Sequence, residues 1–561
     1  MVEVRIIQIC SPTVSTATIL ALLLSAAPAS AGRSDQADLS AYVRARAADS
    51  LGAPEQAVQD YGMALDSSQG NQIVAANALR QALTAGDRVL AVKAARVLEA
   101  SGNVTPEVRF VLLGEAIRTG DWKQASREAD SVSKDEIFSF MTPLLRAWIA
   151  VGSKERDPNE YLAAGASDPL AGSYIAEHRP LILLAIGQEK EGLIEIRNRV
   201  EARDTRAQRL LVSASAYLVR KGKRKQAQQL LEGSGARLVG ARKWLESHDD
   251  LTGEIRTPTD GIAEFFLRIS IDLQRQDVLP LALSFARLST FLAPEQAEGW
   301  LVTSSLLSAQ SQDKQALAVL GKVSSRDPAA ALANDVRIEL LTNIGDRVEA
   351  LKEAQKAVQS SKAGVGDWTR LGDLYGRLEK YDDAADAYSK ALKANPSEAN
   401  PRPEWTLWLL LGGAREQAGR WKEAKDALEQ AYKLAPTEPL VLNYLGYAQL
   451  ERRENLIEAE NLIAEASRLQ PDSAQITDSL GWAHYLRGDL PSAIQLLERA
   501  VLGEPTDAEI NEHLGDAYYS AGRRFEARYA WSAALLTAEA GDAPRIRAKI
   551  ASGLTADLTS P

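Results

Sequence analysis

Few residues in this chain could do covalent chemistry. Its 561 residues include four histidines and one cysteine. Cys10 lies in the first 31 residues, so the rest of the chain offers no thiol nucleophile, disulfide or Cys-ligated metal site. There is no HExxH, no phosphate-binding GxxxxGK, no GxSxG and no acidic calcium loop. His178 and His248 fall in weakly patterned stretches, and His484 and His513 sit among helical residues without a ligand set. Acidic pairs such as Asp382–Asp383 stand near a helix start, where carboxylates favour the helix dipole. No catalytic residue, metal site or cofactor is expected. What remains is recognition. Toward the C-terminal end, Tyr447, Trp482, Tyr485 and Tyr519 are interleaved with Asn443, Asp478, Glu512 and Asp516. Rings supply contact area and polar groups fix orientation, which is what holding an extended peptide requires. Whether they converge depends on the elements that carry them.

Composition narrows the partner class. The net charge is −10 with a pI near 5.3, which disfavours nucleic acid and anionic lipid, since both need clustered cations. The basic run Arg220–Lys225 reads as a solvated helix end. Hydrophobic residues make up 45% of the chain but aromatics only 6%, the balance that stacked Ala- and Leu-rich helices would have.

Those helices follow a fixed beat. In Val365–Glu398, Trp368, Leu371 and Tyr375 recur at spacings of three and four and form one apolar stripe. Gly372 and Ala384 are small enough for two helices to pack closely, and Pro396 stops the second. The same small residue recurs at Ala282, Ala316, Ala350 and Ala384, each 34 residues from the last. Insertions near 399–404 and 454 shift the later members to Ala424, Ala459, Ala493 and Ala527. Nearer the N-terminus, Ala57, Ala91, Ala125 and Ala227 keep the register through two degenerate units, where Asn159 and Leu193 take the equivalent places. A loop or altered turn is expected around Ser153–Pro169.

Val365–Glu398 resembles the tetratricopeptide repeat at every signature position of that 34-residue helix–turn–helix unit. The resemblance implies an all-α, right-handed superhelical solenoid of about 14 stacked hairpins in two arrays, since one hairpin cannot bury its own apolar faces. The expected organisation is a signal peptide at 1–31, a degenerate array at 32–247, a junction at 248–262, a second array at 263–535, and a capping helix with a disordered tail at 536–561. In this family the second, fifth, ninth, twelfth and thirteenth positions of each first helix line a concave groove, and the fifth, ninth and twelfth of the last three units carry the candidates. By register these are Asn443, Tyr447 and Leu450, then Asp478, Trp482 and Tyr485, then Glu512, Asp516 and Tyr519. They make up the candidate partner-binding groove, with packing of the rings against neighbouring helices as the other reading, for Trp482 above all. His484 and His513 occupy the eleventh and sixth positions, which read as structural or surface sites. The acidic groove favours a partner with lysine or arginine and disfavours the carboxylate-clamp type of ligand. Removing Trp482 and Tyr485 together is expected to weaken binding while thermal unfolding stays nearly unchanged.

The leader has a weak basic start at Arg5, an apolar run Ile19–Leu24, and Ala29 and Ala31 at the positions a signal peptidase reads. That run is far short of the ~20 residues a membrane span needs. An exported protein is therefore expected, and the resemblance of such repeats with such a leader to bacterial envelope proteins implies the periplasm, with membranes reached only through partners, as far as the outer-membrane periphery. Residues 478–535 resemble a narrower group, proteobacterial envelope repeat proteins that include lipoprotein adaptors for a periplasmic processing protease. This chain lacks a credible lipidated cysteine. The implied function is a non-catalytic scaffold or adaptor that binds proteins or peptides, without nucleic acid or a small-molecule cofactor. A scaffold for envelope polysaccharide export is the alternative, and an enzyme with an unrecognised site ranks last.

Overall fold

The computed structural model describes residues 33–560 apart from 69, 202–206, 233–235, 360–362 and 395–402. The leader with Cys10, Pro396 and most of the insertion near 399 lie outside the described residues. Among those described, the chain is all-α: thirty α-helices, one 3-10 turn and no strand. The helices follow one another as antiparallel hairpins, and two compact units divide them, Met1–Ala333 and Asn334–Pro561.

The alanine beat has a direct structural counterpart. Ala57, Ala91, Ala125, Ala227, Ala282, Ala316, Ala350, Ala384, Ala424, Ala459, Ala493 and Ala527 are all 0% exposed, each on the second helix of a hairpin. In the second unit, glycines on the first helices complement them. A Cβ on Gly372 would stand 2.5 Å from the ring of Tyr388, and one on Gly515 would stand 2.4 Å from Trp531. A methyl at either glycine would wedge its hairpin open.

Residues 153–169 depart from expectation. The loop is replaced by an eight-residue helix, Pro158–Gly165, capped by Asp157, which accepts from the Asn159 amide. With Thr142–Ser153 it forms a short hairpin, and Pro169–Ala185 with Glu189–Glu201 forms the next. An Asp-Pro start supplies both the cap and a preset φ, so local chemistry makes a helix where the repeat signature is absent.

The stretch 248–262 lies inside the first unit and is tied down. The Ile255 amide donates to Ser213 Oγ at 2.9 Å, Thr252 donates to Asp327 at 2.8 Å, and Glu254 pairs with Arg220. It delivers the hairpin Pro258–Arg275 and Leu279–Leu292 onto the first helices of the earlier hairpins. Phe266 and Phe285 meet Phe110, with ring centroids 5.8 and 5.2 Å away. Gly261 sits against Trp148, where a Cβ would fall 2.1 Å from the indole. Arg268 pairs with Glu177 at 3.0 Å and Arg209 with Glu264 at 3.1 Å, all four buried. Arg287 donates to the Thr84 carbonyl at 2.9 Å, and its burial lowers its pKa to about 10. Residues Gly261–Ser270 are buried without a break, so this part of the hairpin's first helix has no solvent face. The face that by register would be open for company in the first array is thus partly covered by the chain itself, with a cavity of about 540 Å³ left between Leu79, Leu83, Leu281 and Ser284. Gly261→Ala is expected to lift the hairpin off Trp148 and cost about 1–3 kcal/mol, read from the urea midpoint. A shift within about 0.5 kcal/mol would place the hairpin elsewhere.

The tail also departs from expectation. The closing helix Ala543–Ser552 starts at Asp542 and Pro544 and buries Ile546. Beyond it the chain turns back: Ser560 is buried, its amide 3.0 Å from Asp516 Oδ2. Two carboxylates with a buried lysine between them give those last residues something to bind.

Candidate functional site

In the second unit the first helices Glu404–Gln417, Pro439–Glu451, Ala474–Leu486 and Ala508–Ser520 follow one another along the stack. They hold all nine groove residues, and the nine fall into three settings.

At the end of the stack, the fifth and ninth positions face the closing helix. Glu512 accepts hydrogen bonds from Nε and Nη2 of Arg545 at 2.9 and 2.8 Å, and from Lys549 at 2.6 Å. Lys549 also reaches both oxygens of Asp516 at 2.8 Å, and Trp531 Nε1 donates to that carboxylate at 2.9 Å. Lys549 and Asp516 are 0% exposed. Burial alone would raise the Glu512 carboxyl, but Arg545 and Lys549 hold it below the usual range. Tyr519 packs on Trp531, centroids 5.5 Å apart, and on Gly553. These three residues bind the chain's own terminus.

One unit back is a stacked core. Trp482 is 0% exposed, lying parallel to Tyr485 at 4.5 Å and to His513 at 4.1 Å. Tyr485 is half-buried and its hydroxyl meets Ser520. Leu450 is buried against Ile463 and Ala483. His513, fully buried, contacts Asp478 at 2.9 and 3.1 Å. Burial works against the charge of His513, but the field and hydrogen bond of Asp478 outweigh it and lift the imidazole to about 9. Burial likewise raises the Asp478 carboxyl, so the proton belongs to the pair. Its stabilisation should be complete below pH 6.5 and be lost as pH climbs through about 9. Wild-type denaturation midpoints should fall across that window, and the fall should vanish in His513→Gln; an identical fall in the variant would assign it to other groups.

Trp482, Leu450, Glu512 and Asp516 are therefore core or network residues, and only their register suggested a groove wall. The reason is geometric. Neighbouring first helices approach so closely that fifth- and ninth-position side chains reach the next helix before they reach solvent.

The third setting is open. A cavity of about 460 Å³ is lined by Asn443, Tyr444, Tyr447, Gln475, Asp478 and Ser479, with Glu416, Glu451, Asp507 and Glu509 among its walls. Tyr447 donates its hydroxyl to Glu509 across the face, and burial and the Glu416 charge raise the Tyr444 phenol. Arg452 pairs with Glu416 at 2.6 Å and with Glu451 at 3.4 Å. Burial and the nearby Glu416 and Glu509 charges raise the Glu451 carboxyl. Among the described residues Asp507 and Glu509 form no ion pair, although Glu509 lies within the field of His513, and Asn443 Oδ1 is buried without a hydrogen bond. Asn443, Tyr447 and Asp478 are the three expected groove residues brought together here. Glu416, Tyr444, Glu451 and Glu509 join them unannounced, because a period-based reading fixes positions on one helix and not which helix ends meet. No group of side chains suited to a metal occurs among the described residues.

Residues 369–439 and 445–508 match the family model described as tetratricopeptide repeat. The chain is similar to the TPR repeat-containing protein PA4667 of Pseudomonas aeruginosa, 30% identical over 123 residues, 22% of this chain and 20% of that protein. It is also similar to the human protein O-mannosyl-transferase TMTC1, 24% identical over 194 residues, 29% of this chain and 22% of that protein. Each alignment thus spans about a fifth of the relative's length. Among solved structures, the thermophilic TPR protein TTC0263 of Thermus thermophilus is 24% identical with a TM-score of 0.29, over 34% of this chain and 98% of that one. Yeast Tom70 is 11% identical with a TM-score of 0.36, over 92% and 96%.

Proposed function

The chain is a tetratricopeptide repeat protein, and from that premise we propose that it is a non-catalytic scaffold whose partner docks on the first helices of the second unit. The observation that carries this reading is the acidic cavity, walled by rings and carboxylates on a face that at the end of the stack is filled by the chain's own side chains. Repeats of this kind supply surface and not reaction chemistry, and the carboxylates here are spread over four helices, with the Ser479 hydroxyl on the cavity wall donating to the Gln475 carbonyl. Binding raises the local concentration of whatever is held, which is all that an adaptor needs to do. The leader at residues 1–31 supports placement in the periplasm, with an envelope protease or assembly machinery as the recruited client.

A photocrosslinking amino acid at Gln475, on the cavity wall, should trap a protein in envelope extracts. The same group at Tyr529, on an exposed second-helix face, should not. Equal capture at both positions, or capture only at Tyr529, would overturn the docking site.

A further inference from the structure

We propose that the acidic cavity takes a partner helix bearing lysine or arginine side chains four residues apart. This rests on the docking reading above and names the chemistry of what docks.

The molecule contains one worked example of how a helix is held against these first helices. The closing helix presents Arg545 and Lys549, four residues apart, to Glu512 and Asp516, themselves four apart on the helix below. Those carboxylates occupy the fifth and ninth positions of their unit. The same positions one and two units earlier are Asp478 with Trp482 and Asn443 with Tyr447, and three of these four line the cavity. At the end of the stack the cations come from the chain, and the pair is closed. At the cavity the carboxylates outnumber the cations: Arg452 is divided between Glu416 and Glu451, and His513 is committed to Asp478.

Two further features fit a donor-rich side chain. Asn443 Oδ1 is a buried acceptor without a partner, and leaving such an atom unpaired is unfavourable until a donor arrives. The Glu451 carboxyl, raised by burial and by Glu416 and Glu509, is favoured in its charged form by a neighbouring cation. A volume of about 460 Å³ admits side chains projecting from a helix laid across the mouth, not the helix itself. Guanidinium and ammonium groups suit such a site, since they carry several donors and form charge-assisted bonds to carboxylates.

The probe is a capped, fluorescein-labelled peptide copying residues 541–553, which carries Arg545 and Lys549 at the required spacing. Titrated with the full chain at low salt, it should bind saturably, and raising the salt should weaken binding. Glu451→Gln with Glu509→Gln should weaken it by about tenfold or more, and a peptide with its Arg and Lys residues changed to Gln should not bind. Circular dichroism should show both proteins equally folded. Equal binding of the two peptides, equal binding by the variant, or no saturable binding would overturn the proposal. Crosslinking from Gln475 to a protein alongside failed peptide binding would overturn the basic-helix chemistry while leaving the docking site standing.

Discussion

Lys549→Met should destabilise the end of the second unit by about 3–5 kcal/mol, the usual result of removing one partner from a buried ion pair. Lys549 is fully buried and holds Glu512, both oxygens of Asp516 and the Ser560 hydroxyl. Methionine fills the space but leaves Asp516 buried with only Trp531 and Ser560 to oppose its charge. Arg545 still serves Glu512, which places the effect nearer the lower bound. Hydrogen exchange should report the loss at Ala508–Ser520 and Ala543–Ser552 first, since repeat arrays open from their ends. A change within about 0.5 kcal/mol would mean that the lysine is solvated and the closing helix is not docked as described.

Trp482→Ala should cost about 3–5 kcal/mol, the range for emptying a buried aromatic site. The ring lies parallel to both Tyr485 and His513, so its removal also unsupports the imidazole that pairs with Asp478. The denaturation midpoint should drop sharply, and adding Tyr485→Ala should cost less than the two single effects summed, because the residues share one stack. This reverses the expectation drawn from register, in which the two rings line a groove and their loss spares stability. Unchanged melting with weakened partner binding would restore that reading.

Much of the fold was legible from one local rule. A small residue at the twentieth place lets two helices touch, and every alanine found that way, from Ala57 to Ala527, is completely buried. What covers the outer faces was not legible, because it depends on residues far apart in the chain. Phe285 meets Phe110, and Arg287 meets the Thr84 carbonyl, across distances that no 34-residue period encodes. A hint existed in GIAEFFLRIS, which mixes Glu264 and Arg268 into an apolar run and so leaves no polar face; such a helix must be enclosed. The groove residues show the same limit. Register placed Asp478, Glu512 and Asp516 on the right helices, but their burial came from His513, Arg545 and Lys549 arriving from the next element.

The central claim is that this face is closed by the chain itself at the end of the stack and open at the acidic cavity. Carboxylate labelling of the folded chain with a carbodiimide and an amine, read residue by residue by mass spectrometry, tests it most directly. Glu451 and Glu509, which keep solvent access, should label quickly, while Glu512 and Asp516 stay protected until the chain unfolds. Labelling of Glu512 and Asp516 at the rate of Glu509 would contradict the account.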